Sequence, residues 1–339
     1  MSKRPNSEDL SRTGHKPGLG WVEQFLGGSP ESELAFLKQA MDDINLVQRR
    51  NKKTGGAKTE ARAFHAKIHA GIDNAEYVVM DNIPYELQGG ILVPGARYRT
   101  DVRLSSASGL IQPDTKGDLR GLAARVNTDL GPQDFLGTNA EQSHARNARQ
   151  FVEFAKAASG SKALMFPRLI GNLGLSETVR MMRTVIGQVK RPIESLVTES
   201  YFSRSAYAFG DLAVKFKFTP NSSFSNKSEP SDSFLRDDLV IRLQKAPVVF
   251  DFQVQYFLNE AETPIEDGYA LWASLPFTIA QLVLPQQDLL CQSARASSAN
   301  VEDIEFNPWR TTKTIRPLGS LNRARRSVYP ASVRLRKGR

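Results

Sequence analysis

Two groups of short strand-forming runs, separated by a helical stretch, constrain the fold of this chain more than any other feature. Turn residues, mainly Gly, Pro, Asn and Asp, lie between the runs. The runs lie at 76–80, 91–94, 98–104 and 122–128 in the first group, and at 201–208, 212–218, 248–257 and 277–284 in the second. This pattern predicts an α+β chain dominated by an antiparallel sheet or barrel. Strand propensity alone does not distinguish a barrel from a sandwich.

A long helix is predicted to begin at Ser29-Pro30-Glu31, because Ser is a good N-cap and Pro suits the first helical position. We expect it to end near residue 49, before a polar linker at 50–60. Further helices are predicted at 147–158, 176–189 and 234–244. Loops or irregular structure are predicted at 159–169, 219–232 and 285–328, and an N-terminal arm at 1–28.

The composition indicates an ordinary globular protein. The chain has 339 residues, enough for one large domain or two smaller ones. It contains no apolar run of the roughly 18 residues that a membrane span needs, and its first residues contain no apolar signal-peptide core. The single Cys291 forms no intrachain disulfide. We therefore expect a cytoplasmic, reducing compartment.

The net charge of +9 is compatible with an anionic partner. Basic residues cluster around 49–67 and in the C-terminal tail, and such clusters suit nucleic acid or an anionic membrane surface. No zinc-finger spacing, RNP motif or heptad zipper supports nucleic-acid binding. An anionic cofactor buried among arginines is the competing explanation, and we expect no nucleic-acid partner.

Common catalytic motifs are absent from the sequence. There is no Walker A loop, no G-x-G-x-x-G after a strand and no G-x-S-x-G elbow. His65 and His69 have the spacing of a metalloprotease helix, but Ala66 occupies the position of that motif's catalytic Glu. These absences leave the basic C-terminal tail and the stretch around His65 as candidate sites.

In the C-terminal tail, Arg325 and Tyr329 are four residues apart, which places them on one face of a helix. Pro330 is predicted to end that helix and to leave Tyr329 at its terminus. A guanidinium close to a phenol oxygen favours the phenolate, which is a strong ligand for ferric haem. The alternative is a solvated basic tail.

His65 lies in R-A-F-H-A-K at 62–67, where a strand would place Phe64 and His65 on opposite faces. His65 then projects into a pocket or forms a structural hydrogen bond in the core. One predicted strand ends at 103–106, and the next predicted strand begins at 118–121. A turn is predicted at 134–139. Phe151 is predicted on the following helix.

Several short motifs follow one another between residues 60 and 338. They are R-A-F-H-A-K at 62–67; V-R-L-S at 102–105; P-D-T-K-G-D-L-R-G at 113–121; D-F-L-G-T-N at 134–139; F-L-R-D-D-L at 234–239; F-D-F-Q-V-Q at 250–255; P-L-G-S-L-N-R at 317–323; and R-R-S-V-Y-P-A-S-V-R-L-R-K-G at 325–338. In this order they resemble the catalase family. The resemblance implies an antiparallel barrel with helical insertions and a wrapping segment that carries the proximal haem ligand.

The resemblance also implies roles for particular residues. Tyr329 corresponds to the proximal iron ligand of haem b and Arg325 to the residue that holds it as phenolate. His65 corresponds to the distal acid–base residue, and Ser105 orients its imidazole. The predicted propionate partners are Arg62, Arg103 and Arg336, and the predicted haem-stacking ring is Phe151.

The chain departs from the family pattern at the distal amide. An ungapped match places Thr138 at the asparagine position, and Asn139 follows one residue later. Either Asn139 serves after a loop shift or Thr138 replaces it. The chain also ends ten residues after Tyr329, so the resemblance is to short catalase-like haem proteins without the C-terminal helical domain.

Three segments are expected from this resemblance: an arm and helix at 1–57, a barrel core with helices at 58–285, and a wrapping segment with the ligand helix at 286–339. The implied function is haem-dependent cleavage of hydrogen peroxide or organic hydroperoxides. The alternatives are a fatty-acid hydroperoxide isomerase or dehydratase of the allene oxide synthase type, and a haem protein with little turnover. The arm at the N-terminus favours a homodimer or homotetramer.

Overall fold

The structure is a computed structural model that describes residues 17–55, 62–221 and 229–338. The predicted α+β class is confirmed. Ten strands lie within these ranges, and every pairing between them is antiparallel. The strands are β1 Ile68–Val79, β2 Arg97–Ser106, β3 Arg120–Val126, β4 Gln133–Thr138, β5 Tyr201–Phe202, β6 Tyr207–Phe209, β7 Leu212–Pro220, β8 Val248–Tyr256, β9 Phe277–Leu284 and β10 Ile315–Pro317.

Eight of the described strands close into a barrel, which settles the choice between barrel and sandwich. The order around it is β1-β2-β3-β4-β5-β7-β8-β9, and closure comes from pairing between β7 and β8 and between β9 and β1. β6 and β10 extend the sheet beside β7. The barrel interior holds a continuous apolar core in which the rings of Tyr77, Phe135, Phe216 and Phe252 pack together.

Seven α-helices lie in the described residues. They are α1 Pro30–Gly55, α2 Ala148–Ala158, α3 Lys162–Leu173, α4 Leu175–Lys190, α5 Phe234–Lys245, α6 Gln292–Asp303 and α7 Gly319–Lys337. α2 begins where expected because the side chain of Asn147 accepts a hydrogen bond from the backbone N–H of Gln150. No helix within the described ranges is both long and apolar enough to cross a membrane.

Several predicted loops are helical. The linker predicted at 50–60 is wrong for residues 50–55, which belong to α1 and end with it at Gly55. The remaining residues of that prediction lie outside the described ranges. The loop predicted at 159–169 is mostly α3, which accommodates Pro167 in its interior. The irregular stretch predicted at 285–328 contains α6, β10 and the first half of α7. Polar composition at 50–55 and prolines at 167, 308 and 317 favoured loops in the sequence, whereas tertiary packing makes most of these residues helical.

The strand predictions need four corrections. Residues 91–94 form no named strand and contribute one isolated bridge between Gly89 and Leu92. Residues 62–67 precede β1 and are not part of it. The turn predicted at 134–139 is largely β4. The run at 201–208 is divided between the short strands β5 and β6.

The C-terminal helix does not end at Pro330. α7 continues to Lys337, so Tyr329 lies in the middle of the helix, and the predicted helix terminus is wrong. Proline lacks one backbone N–H, but packing on both flanks of the helix compensates for the lost hydrogen bond. α7 packs against α1 and α2, and Val328 lies in the small apolar cluster between these helices.

Helix α6 lies directly on β1. The N–H of Gly71 in β1 donates to Ser298 Oγ at 3.1 Å. A Cβ at Gly71 would lie 2.7 Å from Val301 and 2.9 Å from the backbone of Ser298, so only glycine permits this approach. This contact fixes the end of α6, and with it Glu302, beside the barrel wall.

Candidate functional site

His65 lies just before β1 in a strained backbone conformation. Its φ is +58°, which is uncommon for a residue with a side chain. Backbone hydrogen bonds stabilise this conformation: the N–H of His65 donates to Ala107 O and that of Ala66 donates to Ser108 O, both at 2.9 Å. Arg103 Nη2 also donates to the carbonyl of His65 at 2.9 Å. The segment is therefore anchored to the residues that follow β2.

The His65 ring lies on the outer face of the barrel, over a row of small side chains. Its Nδ1 is 3.1 Å from Ser105 Oγ. Gly121 is the cross-strand partner of Ser105, and a Cβ at Gly121 would approach the ring to 2.4 Å. Glycine at 121 thus provides the space that the imidazole occupies. No hydrogen-bond partner for Nε2 is found among the residues the structure describes, so this nitrogen remains available to a ligand.

Burial and nearby positive charge keep this histidine neutral. Burial, followed by the charges of Arg103 and Arg325, lowers the pKa of His65 to about 3. At neutral pH the ring is therefore uncharged, with one nitrogen able to accept a proton. Arg325 is on α7, and α7 lies close to the His65 segment because Val328 and Phe64 pack on the same apolar cluster.

Of the two candidate distal polar residues, only Thr138 shares the face of His65. Thr138 pairs with Gly121 across β3 and β4, so its side chain is on the same side of the sheet. Asn139 is buried, and its amide is used internally. Its Oδ1 accepts from the N–H of Arg120 at 2.6 Å, and its Nδ2 donates to Glu199 Oε2 at 2.8 Å.

Two of the predicted propionate partners bind a carboxylate of the protein itself. Arg62 Nε lies 3.0 Å from Glu302 Oε1, and Arg103 Nε lies 2.7 Å from Glu302 Oε2. Despite some burial, the two arginines lower the pKa of Glu302 below its usual value. Glu302 is a site residue that sequence reasoning missed, because its partners are about 200 residues away in the chain.

Helix α7 carries the other half of the candidate site. Arg325 Nη2 donates to Tyr329 Oη at 2.9 Å, and Arg325 Nη1 lies 3.2 Å from Asn322 Oδ1. Two turns after Tyr329, Nη2 of Arg336 is buried without a hydrogen-bond partner among the described residues. Burial and the charge of Arg62 lower the pKa of Arg336. The guanidinium groups of Arg62 and Arg336 are therefore close enough to interact.

Aromatic packing joins the His65 segment to the helices. The Phe64 ring contacts the Phe151 ring edge-on, with centroids 5.6 Å apart. Phe64 and Val328 both pack on the apolar cluster between α1 and α2. Phe151, predicted to stack on haem, is thus close to the candidate site, and its ring also lies 5.5 Å from that of His144.

Two more residues join the site without any sequence signal. Arg204 lies between β5 and β6, and its Nη1 is 3.4 Å from Thr138 Oγ1. Tyr207 is fully buried, and burial, partly offset by the charge of Arg325, raises the pKa of Tyr207 to about 12. Neither residue lies in a recognisable motif, and their positions depend on the link between β5 and β6 and on the pairing of these strands in the sheet.

Comparisons with known proteins point to one class. No family model matches the chain. A "Catalase-related peroxidase" from Mycolicibacterium paratuberculosis is 27% identical over 326 residues, covering 88% of this chain and 94% of the relative. The similar solved structures include a bacterial catalase at a TM-score of 0.65 and 15% identity, covering 98% of this chain and 70% of that one. Catalase A from Saccharomyces cerevisiae has a TM-score of 0.67 and 16% identity, covering 96% and 69%.

The solved structures define the class: the chain has the catalase fold, with the antiparallel barrel and its helices. The sequence is in addition similar to that of a catalase-related peroxidase, in agreement with the resemblance that the sequence motifs predicted.

Proposed function

We propose that this protein is a haem-dependent oxidoreductase that consumes hydrogen peroxide or organic hydroperoxides. The observation that carries the proposal is the hydrogen bond from Arg325 to Tyr329 on α7, a helix whose Val328 packs on the same apolar cluster as Phe64, the neighbour of His65. The similarity to a catalase-related peroxidase supports the same reaction class. Peroxide is the substrate class that a catalase-like protein with this relative is expected to use.

The donor set of the site suits haem. Tyr329 would bind the iron through its phenol oxygen, with Arg325 favouring the phenolate form. Arg336 has a buried Nη2 with no hydrogen-bond partner among the described residues, which makes it a donor for a propionate. Arg62 and Arg103 have further N–H groups besides those bound to Glu302. When bound, haem would supply the iron centre at which the O–O bond of a peroxide is cleaved.

The residues of the chain account for proton movement. When Nδ1 of His65 donates to Ser105 Oγ, Nε2 is the acceptor that faces the substrate. Because the low pKa keeps the ring neutral, Nε2 is ready to take the hydroperoxide proton and then to return it to the leaving oxygen. The strained backbone and the contact with Gly121 hold the ring in place for both transfers.

Replacing Tyr329 with Phe tests this proposal. We expect the purified wild type to give a Soret band of five-coordinate, high-spin ferric haem after haem is added. Tyr329→Phe should lose that signature and at least a hundredfold of peroxide turnover, since the axial oxygen is gone. Tyr85→Phe is the matched control, because Tyr85 is 86% exposed. Absence of haem uptake by the wild type, or an unchanged spectrum in Tyr329→Phe, would refute the proposal.

The substrate is identified by separate assays on the haem-loaded wild type. Oxygen release from hydrogen peroxide indicates catalase activity, and oxidation of an added donor indicates peroxidase activity. Consumption of a lipid hydroperoxide without any donor would instead indicate an isomerase or dehydratase.

A further inference from the structure

Arg204 shares an unusual backbone conformation with His65. Among the described residues these are the two non-glycine positions with positive φ, +62° at Arg204 and +58° at His65. Such a conformation is energetically unfavourable for a residue with a side chain and tends to occur at functional sites. The neighbouring Ser203 fixes the link between β5 and β6, because its N–H donates to Phe216 O at 2.9 Å. Its Oγ accepts from the N–H of Phe216 at 3.2 Å.

The Arg204 guanidinium is incompletely bonded. Its Nη2 donates to the carbonyl of Gln142 at 2.8 Å, and its Nη1 makes a long contact of 3.4 Å with Thr138 Oγ1. Its Nε is buried and has no partner within the part of the chain that the structure describes. Both partners are neutral, and no carboxylate in the described ranges forms a salt bridge with this side chain. A buried N–H without an acceptor is costly, so a ligand oxygen would stabilise it.

The sheet places this guanidinium beside His65. Thr138, which Arg204 contacts, is the cross-strand partner of Gly121, over which the His65 ring lies. The three side chains therefore share one face of the barrel. The positive charge of Arg204 also contributes to the lowered pKa of His65, after burial and the charges of the other arginines.

Arg204 remains charged under physiological conditions. Burial and the charge of Arg325 lower the pKa of Arg204 to about 10, still well above neutral pH. An oxygen bound by Arg204 would thus meet a full positive charge on the face of the barrel that also carries Thr138 and His65. The amide of Asn139 cannot supply this interaction, because both of its polar atoms are bonded inside the protein.

We propose that Arg204 binds an anionic or hydroperoxide oxygen of the substrate on the side of the site that carries His65 and Thr138. The inference deepens the proposed peroxide chemistry and rests on it. Arg204 donates N–H hydrogen bonds to the oxygen, and Thr138 offers its hydroxyl beside it. Arg204 thereby acts beside Thr138, one of the two residues that the sequence offered in the position of the distal amide.

Formate, a small monoanion with oxygen acceptors, is the probe. Its affinity is measured by calorimetry on the full-length protein, first as purified and then loaded with haem. Arg204→Asn removes the charge, and Asn tolerates positive φ better than most residues. Arg204→Lys keeps the charge but not the planar fork. Arg97→Asn is the matched control, because Arg97 is an exposed arginine with a side chain 64% accessible.

We expect formate to bind the wild type and Arg97→Asn alike, and Arg204→Asn at least tenfold more weakly, with Arg204→Lys in between. Equal affinity in wild type and Arg204→Asn would overturn the proposal, as would the absence of formate binding to the wild type. Circular dichroism and a thermal melt establish that each variant is folded. If the wild type takes up no haem, the proposed function fails, whereas the formate titration still decides the role of Arg204.

Steady-state kinetics on the haem-loaded enzyme show whether Arg204 binds the peroxide oxygen or the carboxylate of the substrate. The substrates are hydrogen peroxide, a fatty-acid hydroperoxide and the methyl ester of that hydroperoxide. A similar loss of kcat/KM on all three in Arg204→Asn assigns the peroxide oxygen to Arg204. A rise in KM for the fatty-acid hydroperoxide alone, and not for its methyl ester, shows that Arg204 binds the substrate carboxylate. Unchanged kinetics on all three would overturn the proposal.

Discussion

At the scale of single residues, Glu302 is the side chain that most changes how the site is interpreted. Arg62 and Arg103 were predicted to pair with haem propionates, yet both bind the carboxylate of Glu302. The carboxylate of Glu302 thus binds the two arginines that were predicted to bind a haem propionate. Since each arginine has five N–H donors, it can serve both, but with competition for the best geometry.

Glu302→Gln should strengthen the response of the protein to haem. The substitution removes the competing charge and leaves the buried Arg103 and the half-buried Arg62 short of an anion. We expect the variant without haem to melt at a lower temperature than the wild type, and haem to raise that temperature more than it does in the wild type, by about 2 °C or more. Thermal melts with and without haem measure the difference. Glu76→Gln, in the exposed pair with Arg97, is the control. An equal or smaller haem effect in Glu302→Gln would contradict the competition.

The sequence predicted site residues where a motif carried them, and it missed those that long-range folding brings in. His65, Ser105, Arg325 and Tyr329 are in motifs, and the structure brings them to one side of the barrel. Their catalytic and ligand roles stay predictions. Arg204 has no motif around it, because its position depends on the link between β5 and β6 and on the register of β3 with β4.

At the scale of elements, α7 is held at its first turn by an ion cluster. Arg323 Nε lies 2.5 Å from Glu33 of α1, and Arg323 Nη1 lies 2.6 Å from Glu23 and 2.9 Å from Glu266. One guanidinium thus joins the start of α7 to α1 and to two loops. The sequence could not predict this cluster, because Glu23 and Glu33 are about 300 residues away in the chain and Pro330 suggested a different helix end.

Removing Arg323 should destabilise the protein strongly. Arg323→Met leaves Glu33, which is only 2% exposed, as an uncompensated buried charge. Breaking a buried pair in this way costs about 3–5 kcal/mol. The free energy of unfolding from urea titration measures the effect. Arg97→Met, which breaks an exposed pair, should cost less than about 1 kcal/mol. A loss of similar size in both variants would mean that the cluster does not stabilise α7.

At the scale of the whole molecule, the resemblance of the motifs predicted the closed barrel correctly, whereas the strand pattern alone predicted only an antiparallel sheet or barrel. Alternating runs identified most of its strands, whereas closure depends on the pairing of β7 with β8, which no local pattern encodes. The fold also buries histidines in a neutral state. Burial lowers the pKa values of His65, His69 and His144 to about 3, with nearby arginines adding to the effect.

These three histidines should make the protein acid-labile. Their pKa values are lower in the folded state than the 6.5 of an unperturbed histidine, so the unfolded chain binds protons first as the pH falls. Stability is therefore lost as the pH drops below about 6.5, and the loss continues to about pH 3. Each histidine contributes up to about 1.4 kcal/mol per pH unit in that range.

His144→Phe isolates one of these contributions. The His144 ring packs against Phe151 and Phe154, with centroids 5.5 and 4.5 Å away, so a phenyl ring suits the site. At pH 8, where the histidine is neutral in both states, the variant differs from the wild type only by packing. Between pH 7 and pH 5 the wild type should lose up to about 2 kcal/mol more than the variant, as measured by urea unfolding. Parallel stability curves for the two proteins would show that His144 is not held neutral by the fold.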